Sequence, residues 1–243
     1  MRNSKSLLKM ITLSMLIALG VVISPILRVE GMCPMAHFIN IVCSVFLGPW
    51  YSLLCATLIG IIRMITMGIP PIALTGAIFG AFLSGVFYRA SKGRIIFAVL
   101  GEIIGTGIIG AIMSYPVMTF LWGKEGLSWL FYVPSFICGT LIGGSIAYVF
   151  LRKFAANGML ARIQTMLGSQ SYLDHTSILS NTLTIAACGA ILFVVIELAS
   201  DIFKLTGALW DKLSYVALIL CAAAAILYYI TKKVKIPHAP GNP

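Results

Sequence analysis

The stretch AHFINIVCSVFLGPWYSLLCATLIGIIRMIT, residues 36–66, decides the fold. It is apolar enough to cross a membrane as one long helix, yet Gly48-Pro49 stands in its middle. Proline removes a backbone donor and its ring clashes with the preceding turn, so the pair is a physical reason for a break. Read as one helix, the segment would put Arg89, Lys92 and Arg94 on the side opposite Arg2, Lys5 and Lys9, against the positive-inside tendency. Read as two helices, about 36–47 and 50–66, the conflict disappears. Two helices are therefore expected.

Around that break, further apolar runs fall at about 7–27, 72–88, 95–121, 128–151, 178–200 and 213–231. Such lengths suit the roughly 30 Å hydrocarbon core of a bilayer. Only 10% of the 243 residues are charged and 60% are hydrophobic, with mean hydropathy +1.02. An average soluble domain carries about 25% charged residues, so an ordinary water-soluble protein is excluded. The chain is expected to be all-α and polytopic. It divides into a six-helix membrane domain over 1–153, a polar linker or interfacial helix over 154–177, and a transmembrane hairpin with a basic tail over 178–243. Arg2, Lys5 and Lys9 ahead of an apolar stretch look like a secretory signal. The run from Met10 to Leu27 is too long for one and lacks a cleavage site, so it reads as a retained first span.

Seventeen Lys and Arg against seven acids give a net charge of +10. The excess lies in short tracts between spans, which points to topology rather than nucleic-acid binding. With the two-helix reading, Arg2, Lys5, Lys9, Arg89, Lys92, Arg94, Arg152, Lys153, Arg162, Lys232, Lys233 and Lys235 share one side with both termini. That side is expected to be the cytoplasm of a bacterial-type cell. Arg28, Arg63, Lys124, Lys204 and Lys212 fall at the other side, with Glu30, Glu125 and Asp211 close in sequence to three of them. The six cysteines show neither CxxC pairing nor a His-rich cluster, so no metal site, disulfide framework or cofactor is expected.

The strongest chemical signal is Gly101-Glu102-Ile103-Ile104-Gly105-Thr106-Gly107-Ile108-Ile109-Gly110. A carboxylate inside a membrane span is expensive, and such acids usually face a cavity or a partner. Glu102, Thr106, Gly110 and Ser114 recur every four residues, so one helical stripe carries the polar and small groups. The GxxxG pairs Gly101/Gly105, Gly76/Gly80 and Gly139/Gly143 are more often helix packing than a ligand cradle. Gly- and Pro-interrupted segments at membrane depth survive where they line a cavity, which marks 28–37 and 66–76 as candidate walls, simple connections being the alternative. His37 and Asn40 are three residues apart and point together. Arg63 ends an apolar helix, where it either snorkels to the interface, the commoner outcome, or reaches into the cavity. Trp50, Tyr51, Tyr115, Trp122 and Trp129 fit an interfacial belt. Tyr132 and Phe136, one turn apart, are candidate stacking platforms for a flat ring. Asp201 reads as solvated, and nothing in the sequence names a role for Glu197.

No GxxxxGK[ST], HExxH, GxSxG or strand-borne GxGxxG occurs, so ATP hydrolysis and the common hydrolase and dinucleotide chemistries have no residues here. Against that background, Pro34-x-x-His37-x-x-Asn40, Leu47-Gly48-Pro49, Arg63, Gly68 and the Gly101-to-Gly110 run resemble the thiamine-precursor (ThiW-type) substrate-binding subunit of energy-coupling factor (ECF) transporters. Pro134-x-Phe136 and Gly143-Gly144-Ser145 are similar too, and the resemblance covers about residues 7–152.

The resemblance implies a six-helix S-component, not an enzyme, that captures the hydroxyethylthiazole precursor of thiamine from outside. It implies as partners a transmembrane coupling protein and two cytoplasmic ATPases, with toppling in the membrane to release the ligand. His37, Asn40, Arg63, Glu102, Thr106, Tyr132 and Phe136 become the substrate-binding set, and Ser14 and Ala18, continuing to Val22, the small-residue contact with the coupling protein. Three departures stand out: Met64 in place of Asn, Gly68–Gly76 in place of a GTxLAFPGS-like stretch, and the hairpin at 178–231. Two rivals remain open. One is a stand-alone secondary transporter in which Glu102 or Glu197 relays a proton. The other is a membrane enzyme using His37 and Glu102 as acid and base.

Overall fold

Pro49 has no N–H, so the helix that reaches Leu47 cannot continue through it, and Gly48 turns the chain with φ +95° between two helices. The computed structural model describes residues 2–26, 28, 33–172, 178–203 and 210–234. Nine helices follow among them: α1 (Arg2–Ile26), α2 (Pro34–Leu47), α3 (Pro49–Met67), α4 (Ile72–Ala90), α5 (Ile95–Leu121), α6 (Val133–Ala156), α7 (Met159–Leu167), α8 (Ile178–Phe203) and α9 (Trp210–Val234). Glu30, Asp174, His175, Lys204 and Lys235 lie outside the described residues, as do the side chains of Glu197, Asp201 and Asp211.

The all-α polytopic fold is present. Ser4–Ile26, α3, α4, α5, α6 and Lys212–Lys233 are each long and apolar enough to cross a membrane. Leu7, Met15 and Val22 on α1, and Phe120 and Leu121 on α5, are more than half exposed, as lipid-facing side chains should be. The helices divide into two compact units, Met1–Asp174 and His175–Pro243.

Within the first unit α2 is the central element, buried at every residue from Ile39 to Leu47. Its 14 residues span about 21 Å, short of the roughly 30 Å hydrocarbon core. A buried helix that stops early leaves room above its N-terminus, and that is where the cavity described below opens. The opposite end of the unit is basic. There the Arg89 guanidinium lies over Gly48, Lys5 lies beside Gly168 and Tyr172 packs on Gly93.

Both boundaries of α6 differ from the sequence pattern. Helix α6 begins at Val133 rather than near 128, with Pro134 in its first turn, where a missing N–H costs nothing. The span also runs on to Ala156. In the polar stretch that follows, α7 buries Leu160, Gln164 and Leu167 against the basic end. Gln164 has a specific task. The Val45 carbonyl would accept the N–H of residue 49 in a continuous helix, but residue 49 is proline; Gln164 Nε2 donates to that carbonyl instead, at 2.9 Å, and to the Tyr88 hydroxyl at 3.0 Å.

In the second unit α8 and α9 pair antiparallel: Asn181 meets Tyr228, Gly189 meets Cys221 and Phe193 meets Tyr215. The Asn181 amide donates to the Tyr228 hydroxyl at 3.1 Å.

Candidate functional site

Helix α5 enters the bundle at Ile95 and carries Glu102 about 12 Å along its axis. The carboxylate is fully buried. Its Oε1 accepts three hydrogen bonds: from His37 Nδ1 at 2.9 Å, Asn40 Nδ2 at 3.1 Å and Thr106 Oγ1 at 3.0 Å. Accepting three donors is what makes a carboxylate tolerable away from water. His37 and Glu102 form the ion pair given by the described residues, with the histidine as charged partner when protonated. With Nδ1 engaged on Glu102, Nε2 is the polar atom that His37 has left for a ligand.

Small residues make this contact possible. A Cβ on Gly80 of α4 would lie 2.7 Å from Glu102 Oε2, which is buried without a hydrogen-bond partner. A Cβ on Gly105 would lie 2.5 Å from the Cα of Gly80 itself. The glycines of α4 and α5 thus serve packing, and that packing sets the Glu102 carboxylate against α4. The rest of the stripe follows the same face. Gly110 lies against Gly76, and Ser114 exchanges a 2.7 Å hydrogen bond with Thr75. Residues Ile103–Gly110 adopt a wide π-helical turn, a rare departure frequent at functional sites.

Helix α2 is held in register from two sides. Ser52 of α3 donates to the Asn40 carbonyl at 2.9 Å, and Ser44 pairs with Ser84 of α4 at 2.8 Å. On α6, Gly143 has no side chain to obstruct His37, whose Cβ would lie 2.9 Å from a Cβ there.

Above this network lies an open cavity. Its walls are Arg28, Cys33, Ala36 and His37, then Arg63, Ile69, Ile72, Ala73, Gly76 and Ala77, and finally Thr106, Ser135 and Phe136. Mostly apolar walls with a few convergent polar groups are what small-molecule sites share. The described parts of both interrupted segments, 28–37 and 66–76, contribute; residues 29–32 lie outside the described residues.

The expected site residues separate into three groups. His37, Arg63, Thr106 and Phe136 line the cavity. Asn40 and Glu102 sit behind that lining and reach it through His37 and Thr106. Tyr132 does not join Phe136 on the wall. It precedes α6, packs on Ala111 and Met118, and lies 6.0 Å from Phe136 between ring centres. Arg63, for which snorkelling is the usual fate, is 4% exposed. Ser135 and Ala77 also line the cavity but lie outside the segments that the sequence marks; small residues in apolar spans carry no signal of their own.

Ser14 and Ala18 are exposed on α1, while Leu13 and Leu16 on its other face are buried. No curated protein and no solved structure matches the chain. The family model of the thiamine-precursor transporter protein (ThiW) matches residues 10–157, the part that builds α1 to α6, the cavity and the Glu102 network, and the chain belongs to that family.

Proposed function

We propose that this transporter is the substrate-capturing S-component of an ECF importer and that it takes the thiazole precursor of thiamine, hydroxyethylthiazole, from outside the cell. The observation that carries the proposal is the cavity whose floor is His37 and Thr106, both tied to the buried Glu102. A small heterocycle would place its ring against Phe136 and its ring nitrogen or hydroxyl against His37 and Thr106. Asn40 and Glu102 would hold those two side chains in position, and Arg63 would bound the far wall. Tyr132 would act through Phe136 rather than by touching the ring. No bond is made or broken on the ligand, so no enzymatic role is assigned.

The basic end of the first unit, opposite the cavity, supports a cytoplasmic N-terminus in the cell membrane, and the positive charge of Lys232 and Lys233 supports the same side for the C-terminus. The chain has no Walker motif, which accords with energy supplied by partners: a transmembrane coupling protein and two ATPases. The exposed Ser14, Ala18 and Val22 stripe on α1 offers the close helix approach that such a coupling protein would use.

The test is equilibrium binding of hydroxyethylthiazole to the purified, detergent-solubilised chain, with thiamine, its pyrimidine precursor and riboflavin as competitors. Selective sub-micromolar binding without ATP is expected. Alanine at His37, Asn40 or Glu102 should weaken it about tenfold or more, the loss of one buried hydrogen bond at about 1–3 kcal/mol. Unchanged affinity in all three refutes the site. Uptake that persists without any ATPase and collapses with the proton gradient refutes the ECF assignment.

A further inference from the structure

Arg63 closes α3 one turn before Gly68, yet its guanidinium is held inside the protein on the cavity wall. Its Nε is buried with no hydrogen-bond partner, and its Nη2 donates to Cys33 Sγ at 3.6 Å, a weak acceptor. Among the described residues no carboxylate lies within ion-pair distance of it. Glu102 is engaged by His37, Asn40 and Thr106 and is not on the wall. A buried guanidinium with no counter-charge among the described residues is costly, and an anionic ligand would offset that cost. Arg28 lines the same space. The N-terminus of α2, whose Cys33 and Ala36 are on the wall, adds the positive end of a 14-residue helix.

We propose that Arg63 recognises an anionic oxygen group, a carboxylate or a phosphate ester, on the side arm of the captured heterocycle, with Arg28 supplying further positive charge. This deepens the thiazole-capture proposal and rests on it: the ring lies toward His37 and Phe136, and the arm runs toward Arg63. The Nε and Nη2 pair forms a planar fork that matches two oxygens of one anionic group, and an anion replaces Cys33 Sγ as the stronger acceptor. A lysine in the same place offers a point charge without the fork.

The experiment is calorimetric titration of the purified full-length chain with three probes: hydroxyethylthiazole, its phosphate monoester, and the analogue with a carboxylate in place of the alcohol. At least one anionic probe should bind about 10- to 100-fold tighter than the alcohol, the range of charge-assisted hydrogen bonds. Whether the ester or the acid is preferred identifies the group. Arg63→Gln should bring the ratio of anion to alcohol affinity to about one, and Arg63→Lys, which keeps the charge and guards against misfolding, should leave an intermediate ratio. An alcohol that binds as tightly as both anions, or a preference that survives either substitution in full, overturns the anion site and leaves thiazole capture standing. No binding of any probe overturns both.

Discussion

Gly80 is where one methyl group reports on the whole network. In Gly80→Ala the new Cβ would collide first with Thr106 Oγ1 and would stand 2.7 Å from Glu102 Oε2 and 2.9 Å from its Cδ. Ordinary contact begins near 3.4 Å, so the Thr106 hydroxyl must swing away and the carboxylate retreat by about 0.7 Å, or α4 must move away from α5. The three hydrogen bonds on Oε1 measure 2.9, 3.1 and 3.0 Å, and a displacement of that size takes them past the usual limit of about 3.2 Å. Overpacking of this kind costs about 1–3 kcal/mol. Helix propensity acts in the opposite direction, because alanine is favoured over glycine in a helix interior by up to about 1 kcal/mol. The two effects differ in sign, which makes the variant decisive. Thermal unfolding of the detergent-solubilised variant should show a fall in Tm, and titration with hydroxyethylthiazole should show affinity reduced about tenfold or more. A variant that is more stable than the parent and binds as well would refute the idea that Gly80 holds the Glu102 carboxylate in place.

Three further outcomes follow from the same geometry. Glu102→Gln keeps an oxygen for the three donors, whereas Glu102→Ala strands all three at about 1–3 kcal/mol each, so purified yield and Tm should rank parent, Gln variant, Ala variant. Equal damage from both would show that charge, not acceptance, is what matters. Gln164→Ala should lower stability by about 1–3 kcal/mol through the freed Val45 carbonyl while leaving ligand affinity within about twofold, since Gln164 lies at the end away from the cavity; a large affinity loss would contradict that separation. Gly48→Ala meets both an unfavourable φ of +95° and the Arg89 guanidinium, so it should reduce folded yield in size-exclusion profiles, and a normal profile would show the α2–α3 turn to be adaptable.

How legible the site is in the sequence depends on how local its causes are. His37 and Asn40 are three residues apart on one helix, so their common direction follows from helical geometry alone. That Glu102 is the group they meet, 65 and 62 residues away, follows only from α4 and α5 closing on each other through Gly80 and Gly105. Tyr132 illustrates the opposite case. Four-residue spacing puts it beside Phe136 only if both belong to α6, but the helix starts at Val133, and a residue ahead of the first turn is free to turn toward Ala111 and Met118. Arg63 has two physically sound fates, and what separates them is the room left by a central helix that stops short, a property of α2 rather than of α3.

Gln164 shows how a local rule and a distant partner combine. Gly48-Pro49 announces in the sequence that α2 must break, and the same proline leaves the Val45 carbonyl without its helical donor. A buried carbonyl in that position demands a partner from elsewhere, since leaving it unmet costs as much as a lost hydrogen bond. The polar stretch after α6 reads as a linker or interfacial helix because its composition is polar, and one of its side chains is the amide that meets this demand, 119 residues further along the chain. The break that sets the topology is therefore also what anchors α7 to the basic end. If so, a variant that restores an N–H at position 49, such as Pro49→Ala, should weaken the dependence of stability on Gln164. In a double-mutant cycle the cost of Gln164→Ala should be smaller in the Pro49→Ala background, and strict additivity of the two changes would break the link between the proline and the glutamine.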